Sequence, residues 1–218
     1  MTMLALVQNR CAVCGAINMY TDVMSTNTFG GSPDLDLRPA EMARSTMHSW
    51  VQECPKCGYV SKRISDQTYV SRLWLQSEKY LTCDGIPFVS DLAKIFYRYY
   101  LLNSRKSKLE DAFFAILHAA WACDDAKDKA NAKHCREIGI VLGRLLIEEN
   151  CEDVDKIKLI CADLMRRAGQ FEQLVFTYKS VHFDDDLLNK ILAFQIEKAK
   201  ARDVSCYRID NVTGGDRR

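Results

Sequence analysis

The apolar positions of this chain change their rhythm near Asp66. Before it, short apolar runs such as MLALV lack a helical period, and three of the four prolines and the Gly30-Gly31 pair mark turns. After it, turn residues thin out and apolar side chains recur at steps of three and four, the signature of helices with a buried stripe. The pattern predicts a helix over residues 66–81, capped by Asp66 and carrying Val70, Leu73 and Trp74. Ser90 caps the next, through Leu92, Ile95, Phe96 and Tyr99. Ser107 and Glu110 fit a capping box ahead of a helix through Leu109, Phe113, Ile116, Leu117 and Trp121.

Asp124 or Asp125 starts a long helix toward Glu149, with Ile138, Val141, Leu142 and Leu145 inward and Gly139 and Gly143 as weak points. Asp153 starts another, which stops at Gly169. A helix over residues 170–181 follows, and Asp184 to Asp186 lead a last one through Leu188, Ile191, Leu192 and Ala199. Seven helices with short connections imply antiparallel neighbours, hence a bundle or a solenoid. The stretch LMRRAGQFEQLVFTYKSV resembles the turn and second helix of a tetratricopeptide unit, with Gly169, Phe171, Leu174 and Tyr178 in the matching places. A shift of about 34 residues upstream puts the expected glycine at Cys135, so the earlier helices are not regular copies.

The irregular first segment carries the chemistry. CAVCG at Cys11 to Gly15 and CPKCG at Cys54 to Gly58 are the same motif, 39 residues apart. In a Cys-x-x-Cys-Gly turn the chain reverses so that both sulfurs face one centre, and the glycine takes the left-handed position. Two such knuckles make a closed tetrahedral site of four thiolates, Cys11, Cys14, Cys54 and Cys57, suited to one structural zinc ion and without an open position for catalysis. A segment of about 65 residues with few large apolar side chains is marginal alone, and a structural zinc contributes roughly 10 kcal/mol or more. Iron, a thioredoxin-like dithiol and plain buried thiols are the alternatives. The glycine after each second cysteine favours a turn over the helix start that a redox motif needs, while the gap exceeds the 15–20 residues or so of common zinc ribbons. The other six cysteines share no ligand spacing and read as small core residues.

The fold class expected is α+β, mostly α: a small zinc-ribbon-like domain over residues 1–65, a tetratricopeptide-like helical domain over 66–209 and a C-terminal tail over 210–218. CAVCG, DLDLRP, WVQECPKCGYV, AAWACDD and ADLMRRAGQFE together resemble a bacterial family of unknown function that joins two CxxC knuckles to tetratricopeptide-like helices. The resemblance implies a bacterial origin and a zinc-binding N-terminal segment, and it supplies no activity.

Thirty basic against 29 acidic side chains, interspersed, leave a formal charge of +1 and disfavour nucleic acid, which requires a one-sided basic surface. Residues 1–65 carry six basic and five acidic groups. The N-terminal stretch lacks a basic leader and a cleavage site, and about 18 apolar residues never run together, so a cytoplasmic protein with reduced thiols is expected. If residues 34–37 are extended, Asp34 and Asp36 share one side, as a solvated strand with Arg38 as counter-charge or as a carboxylate pair for a cation or acid–base work. No histidine has catalytic or ligand spacing; His118 reads as a partner to helix backbone or solvent. The function expected is partner binding through a helical groove, as an adaptor or scaffold for a protein or peptide. On the helix after Asp153, Lys156, Asp163 and Arg166 lie opposite the apolar stripe and are the candidate partner-binding residues, suited to a carboxylate-bearing segment. A nucleic-acid-binding ribbon and a thiol redox switch are the other readings.

Overall fold

In the computed structural model, residues 1–105 and 108–214 are described. The chain is α+β and mostly α. Two antiparallel hairpins come first: β1 (Met3–Arg10) with β2 (Ile17–Ser25), and the short β3 (Gln52–Glu53) with β4 (Val60–Ser61). A Cys-x-x-Cys-Gly turn closes each hairpin, so the two knuckles have equivalent places in the fold. Gln52 joins the hairpins from the interior: its Oε1 accepts from the Ile64 N–H at 2.9 Å and its Nε2 donates to Asp22 Oδ1 at 2.8 Å.

The described residues after Asp66 form α1 (Arg72–Leu75), α2 (Glu78–Leu81), α3 (Asp91–Arg105), α4 (Leu109–Asp125), α5 (Lys129–Glu148), α6 (Val154–Arg167), α7 (Phe171–Tyr178), α8 (Asp186–Lys200) and α9 (Ile209–Thr213). From α3 to α8 each helix packs on the next in sequence, and α6 also packs on α8. Ser90 and Asp185 cap α3 and α8 as expected, whereas Asp124 and Asp125 end α4, Asp128 caps α5, and Val141 and Leu145, expected inward, are exposed. Ser90 Oγ accepts from the Ala93 N–H at 3.2 Å, Asp128 Oδ1 from that of Asn131 at 3.2 Å, and Asp185 Oδ1 from that of Leu187 at 2.7 Å. Ser107, the expected cap of α4, lies outside the described residues. Gly169 ends α6 in the left-handed conformation, φ 81°, and Phe171, Leu174 and Tyr178 beyond it are all buried.

Gly139 and Gly143 do not interrupt α5, because packing overrides their poor helix propensity. A Cβ on Gly143 would lie 2.2 Å from Cys161 Sγ and 3.0 Å from Phe113 Cε2. The bare backbone lets α4, α5 and α6 approach one another closely.

Three expectations are corrected. Residues 66–81 are not one helix. Ser71 and Ser77 accept from the Trp74 and Tyr80 N–H groups and start two separate short helices, so the second cap breaks the first helix. Residues 34–37 are not extended. Leu37 takes a left-handed φ of 65° and its N–H donates to Asp34 O, forming a turn that buries Asp34 and Asp36 and leaves Leu37 exposed. Residues 210–214 are no loose tail, since α9 packs on α8, the Ile209 N–H donates to Pro33 O and the Asp210 N–H to Ser32 Oγ.

The change of character near Asp66 separates strands from helices, while the packing crosses it. One contiguous apolar core runs from Cys11 to Ala199. The turn at residues 34–38 is held by the helices: Asp36 Oδ2 accepts from Trp121 Nε1 at 2.7 Å and from Arg167 at 3.2 Å, and Arg38 pairs with Asp125 at 2.5 Å.

Candidate metal centre

The two knuckles repeat one another bond for bond. In the first, the Gly15 N–H donates to Cys11 O at 2.9 Å and the Cys11 N–H to Ala16 O at 2.8 Å. In the second, the Gly58 N–H donates to Cys54 O at 2.9 Å and the Cys54 N–H to Tyr59 O at 2.8 Å. Gly15 and Gly58 stand at φ 74° and 70°, where a side chain would strain the turn. The turns also aim backbone N–H groups at sulfur: Ala16 at Cys14, Tyr59 at Cys57, and Lys56 and Cys57 at Cys54. Such bonds stabilise thiolates.

The four sulfurs meet at one point. Cys11 Sγ lies 3.8 Å from Cys57 Sγ, Cys14 Sγ lies 3.5 Å from Cys54 Sγ, and all four lie within 4.8 Å of one another. A zinc ion with bonds of about 2.3 Å sets its sulfurs about 3.8 Å apart at the corners of a regular tetrahedron. The short contacts run between knuckles, so a central ion would tie one hairpin to the other. Cys11 and Cys54 are buried, whereas Cys14 and Cys57 reach a cavity that Lys56 and Arg72 also line.

Burial pushes the Cys54 and Cys57 thiols above their ordinary value. At Cys14 burial also opposes ionisation, but the Ala16 N–H and the neighbouring thiols outweigh it and bring the group down to about 7. One sulfur thus carries charge readily beside two that resist it. A divalent cation at the centre supplies the missing compensation.

The helices brace this centre through residues that no motif marks. Arg72 on α1 donates to Cys14 O at 3.0 Å, and Tyr80 on α2 donates to Gly58 O at 2.5 Å. The broken helix over residues 66–81 is thus a clasp that reaches both knuckles. Arg98 on α3 binds Glu53, beside the second knuckle, and Asp84. The one sequence signal for these contacts is the pair of serine caps that turns the chain back on itself.

The remaining candidates fare differently. Lys156 is exposed and pairs with Asp153 at 2.9 Å, but Asp163 and Arg166 are buried, at 2% and 0% exposure. Arg166 donates to Asp163 Oδ1 at 2.7 Å, Gln195 Oε1 at 2.5 Å, Asp203 O at 2.8 Å and Ser205 O at 2.7 Å. The three do not form one surface, because α6 is covered on its polar side by α8 and the chain beyond it. The sequence reading of that side as open is corrected accordingly.

Asp34 and Asp36 are likewise internal. Asp34 pairs with Arg44 at 2.7 Å, and Asp36 is shared by Trp121 and Arg167, whose other nitrogen binds Asp124 at 2.7 Å. They serve as the anchor of a turn. His118 packs among aromatic rings: Trp50, Phe96 and Trp121 lie at ring distances of 5.1, 5.2 and 4.8 Å. Burial there holds it down to about 3, so the imidazole is neutral at physiological pH. Of the six other cysteines, Cys83, Cys123, Cys135 and Cys161 are buried, Cys151 is half-buried and Cys206 is exposed. Among the described residues, the four knuckle cysteines form the one cluster able to hold a metal ion. Comparison of the chain with family models, curated proteins and solved structures finds no match.

Proposed function

We propose that this chain is a zinc-stabilised protein-interaction module, an adaptor or scaffold in which one zinc ion sets the N-terminal hairpins and the helices offer a binding surface. The observation that carries the metal half is the meeting of two equivalent knuckles with sulfurs 3.5–3.8 Å apart across them. Four protein thiolates fill the coordination of zinc, so the ion's role is structural. The hard-cation and nitrogen-ligand metals are disfavoured by an all-sulfur donor set, and zinc is favoured over iron by a reduced cytoplasm without need of redox chemistry.

The interaction half draws on the succession of helices from α3 to α8, each packed on its neighbour, with a tetratricopeptide-like turn at Gly169. A redox switch is the weaker reading, because each second cysteine leads into a left-handed glycine instead of the helix start that activates a catalytic thiol. A nucleic-acid ribbon is weaker too, with six basic against five acidic groups in residues 1–65.

Metal analysis of the full chain purified under reducing conditions tests the metal half. One zinc per chain in the wild type, and less than a tenth of that in Cys54→Ser, is expected; a folded, metal-free wild type with disulfides within the knuckles would establish the redox reading instead. Affinity purification from the native host, followed by identification of bound proteins, tests the interaction half.

A further inference from the structure

Between α7 and the end of α8 lies a cavity of about 430 Å3. Phe171 and Phe176 form its apolar wall, and Glu172, Lys179, Lys200 and Arg202 line it as well. Phe176 is 75% exposed, while Leu174 and Tyr178 on the same helix are buried. A large aromatic left in water beside a concave surface is a feature of binding sites.

The charges around it are mostly positive. Arg202 sits 5.1 Å from the Phe171 ring and Lys179 sits 5.2 Å from that of Phe176, so both cations lie over the walls of the groove. Glu172 is the one carboxylate lining it, and Arg202 holds it at 2.7 Å. Among the described residues neither Lys179 nor Lys200 has a carboxylate within ion-pair distance. Three cations against one carboxylate is a marked local excess on a chain whose formal charge is +1.

We propose that this groove is the partner site of the chain, and that its occupant is a peptide segment presenting one large apolar side chain between carboxylates. This rests on the interaction-module reading and names the partner's chemistry. The apolar side chain covers Phe176 and the carboxylates meet Lys179 and Lys200. A second copy of the chain fits badly, since a two-fold contact here brings the same cations together. A nucleic-acid strand gains the rings and cations but meets the Glu172 carboxylate, which repels its phosphates.

The experiment is selection of a random heptapeptide phage library on the full-length, zinc-loaded protein, followed by fluorescence anisotropy with the enriched peptides. Phe176→Ser and the double variant Lys179→Glu with Lys200→Glu alter exposed side chains, and an unchanged thermal melt verifies that they fold. Enrichment of peptides with Asp or Glu flanking Leu, Ile, Met or Phe, and a loss of affinity of at least tenfold in each variant, is expected. Enriched peptides that bind both variants within twofold of wild type overturn the groove and leave the interaction-module reading standing; a library that gives no binder counts against both. Displacement of the peptide by labelled oligo-dT, or a dimer that Phe176→Ser dissociates, assigns the groove to nucleic acid or to a second copy and also overturns the proposal.

Discussion

Gly143→Ala sets two known effects against each other inside α5. Alanine in place of glycine in a helix interior contributes about 1 kcal/mol of stability. The added Cβ, however, would lie 2.2 Å from Cys161 Sγ on α6 and 3.0 Å from Phe113 Cε2 on α4, against an ordinary contact of about 3.5–4.0 Å. Cysteine has a single side-chain torsion and no flexible end to swing aside, and the Phe113 ring is fully buried, so the helices themselves must part by more than an ångström. Overpacking of this kind costs about 1–3 kcal/mol, and the upper part of that range applies because both neighbours are rigid. The net expectation is a loss of about 1–2 kcal/mol, or about 2–8 °C in Tm for a chain of this size. Gly139→Ala is the milder comparison: its Cβ would meet Leu164 Cδ1 at 3.0 Å, a branch tip that needs to shift by only about half an ångström, so this variant should melt above Gly143→Ala. Circular-dichroism melts of both variants and of Gly143→Ala with Cys161→Ala decide the matter. The double variant should recover at least half of the loss. If Gly143→Ala melts at or above Gly139→Ala, close helix packing is not why these glycines are there.

Further expectations concern the buried charges and the division of the chain. Asp36 is raised from its ordinary 3.8 to about 6 by burial, with Asp163 nearby adding to the effect and Arg167 and Trp121 opposing it. Between about pH 4 and pH 6 the folded chain therefore holds a proton that the unfolded chain has released, and this contribution to stability falls as pH rises through the window. Asp36→Asn cannot titrate, so wild type should gain on it by up to about 3 kcal/mol between pH 7 and pH 4 in urea unfolding; a constant difference would show that Asp36 does not take up the proton. Arg166→Met leaves Asp163 buried without its main partner and should cost about 3–5 kcal/mol, whereas Lys156→Glu on the exposed side should stay within about 0.5 kcal/mol, and equal losses would contradict the burial described. Cys54→Ser should remove hydrogen-exchange protection from β1 to β4 while the interior of α4, α5 and α6 keeps it; simultaneous loss in both would make the chain one cooperative unit.

The parts of the fold that were legible in the sequence are those decided by local chemistry. The repeated CxxCG motif foretold two like turns and four converging sulfurs, and Ser90 and the Asp184–Asp186 run marked the starts of α3 and α8, while α5 starts later than Asp124 or Asp125, at Lys129. Gly139 and Gly143 looked like weaknesses because propensity is a local quantity, while their use lies in contacts with Cys161, Phe113 and Leu164 from other helices. Arg166 looked like a surface cation because its spacing opposes the apolar stripe of α6; the groups that bury it, Gln195 and the carbonyls of Asp203 and Ser205, lie 29 to 39 residues away. Asp34 and Asp36 alternated as in a strand, and only the long-range partners Trp121 and Arg167 favour the turn instead. The clasp made by Arg72 and Tyr80 was hidden for the same reason: one residue points to a backbone oxygen 58 positions away and the other to one 22 positions away.

The central claim is that one zinc ion joins the two hairpins through four sulfurs. Zinc K-edge X-ray absorption of the reduced full-length protein measures this directly. The account predicts a single shell of four sulfur neighbours at about 2.3 Å, from Cys11, Cys14, Cys54 and Cys57, with no nitrogen or oxygen in the first coordination sphere. A shell with two or fewer sulfurs, or a folded protein that carries no metal and pairs its knuckle cysteines as disulfides, would contradict it.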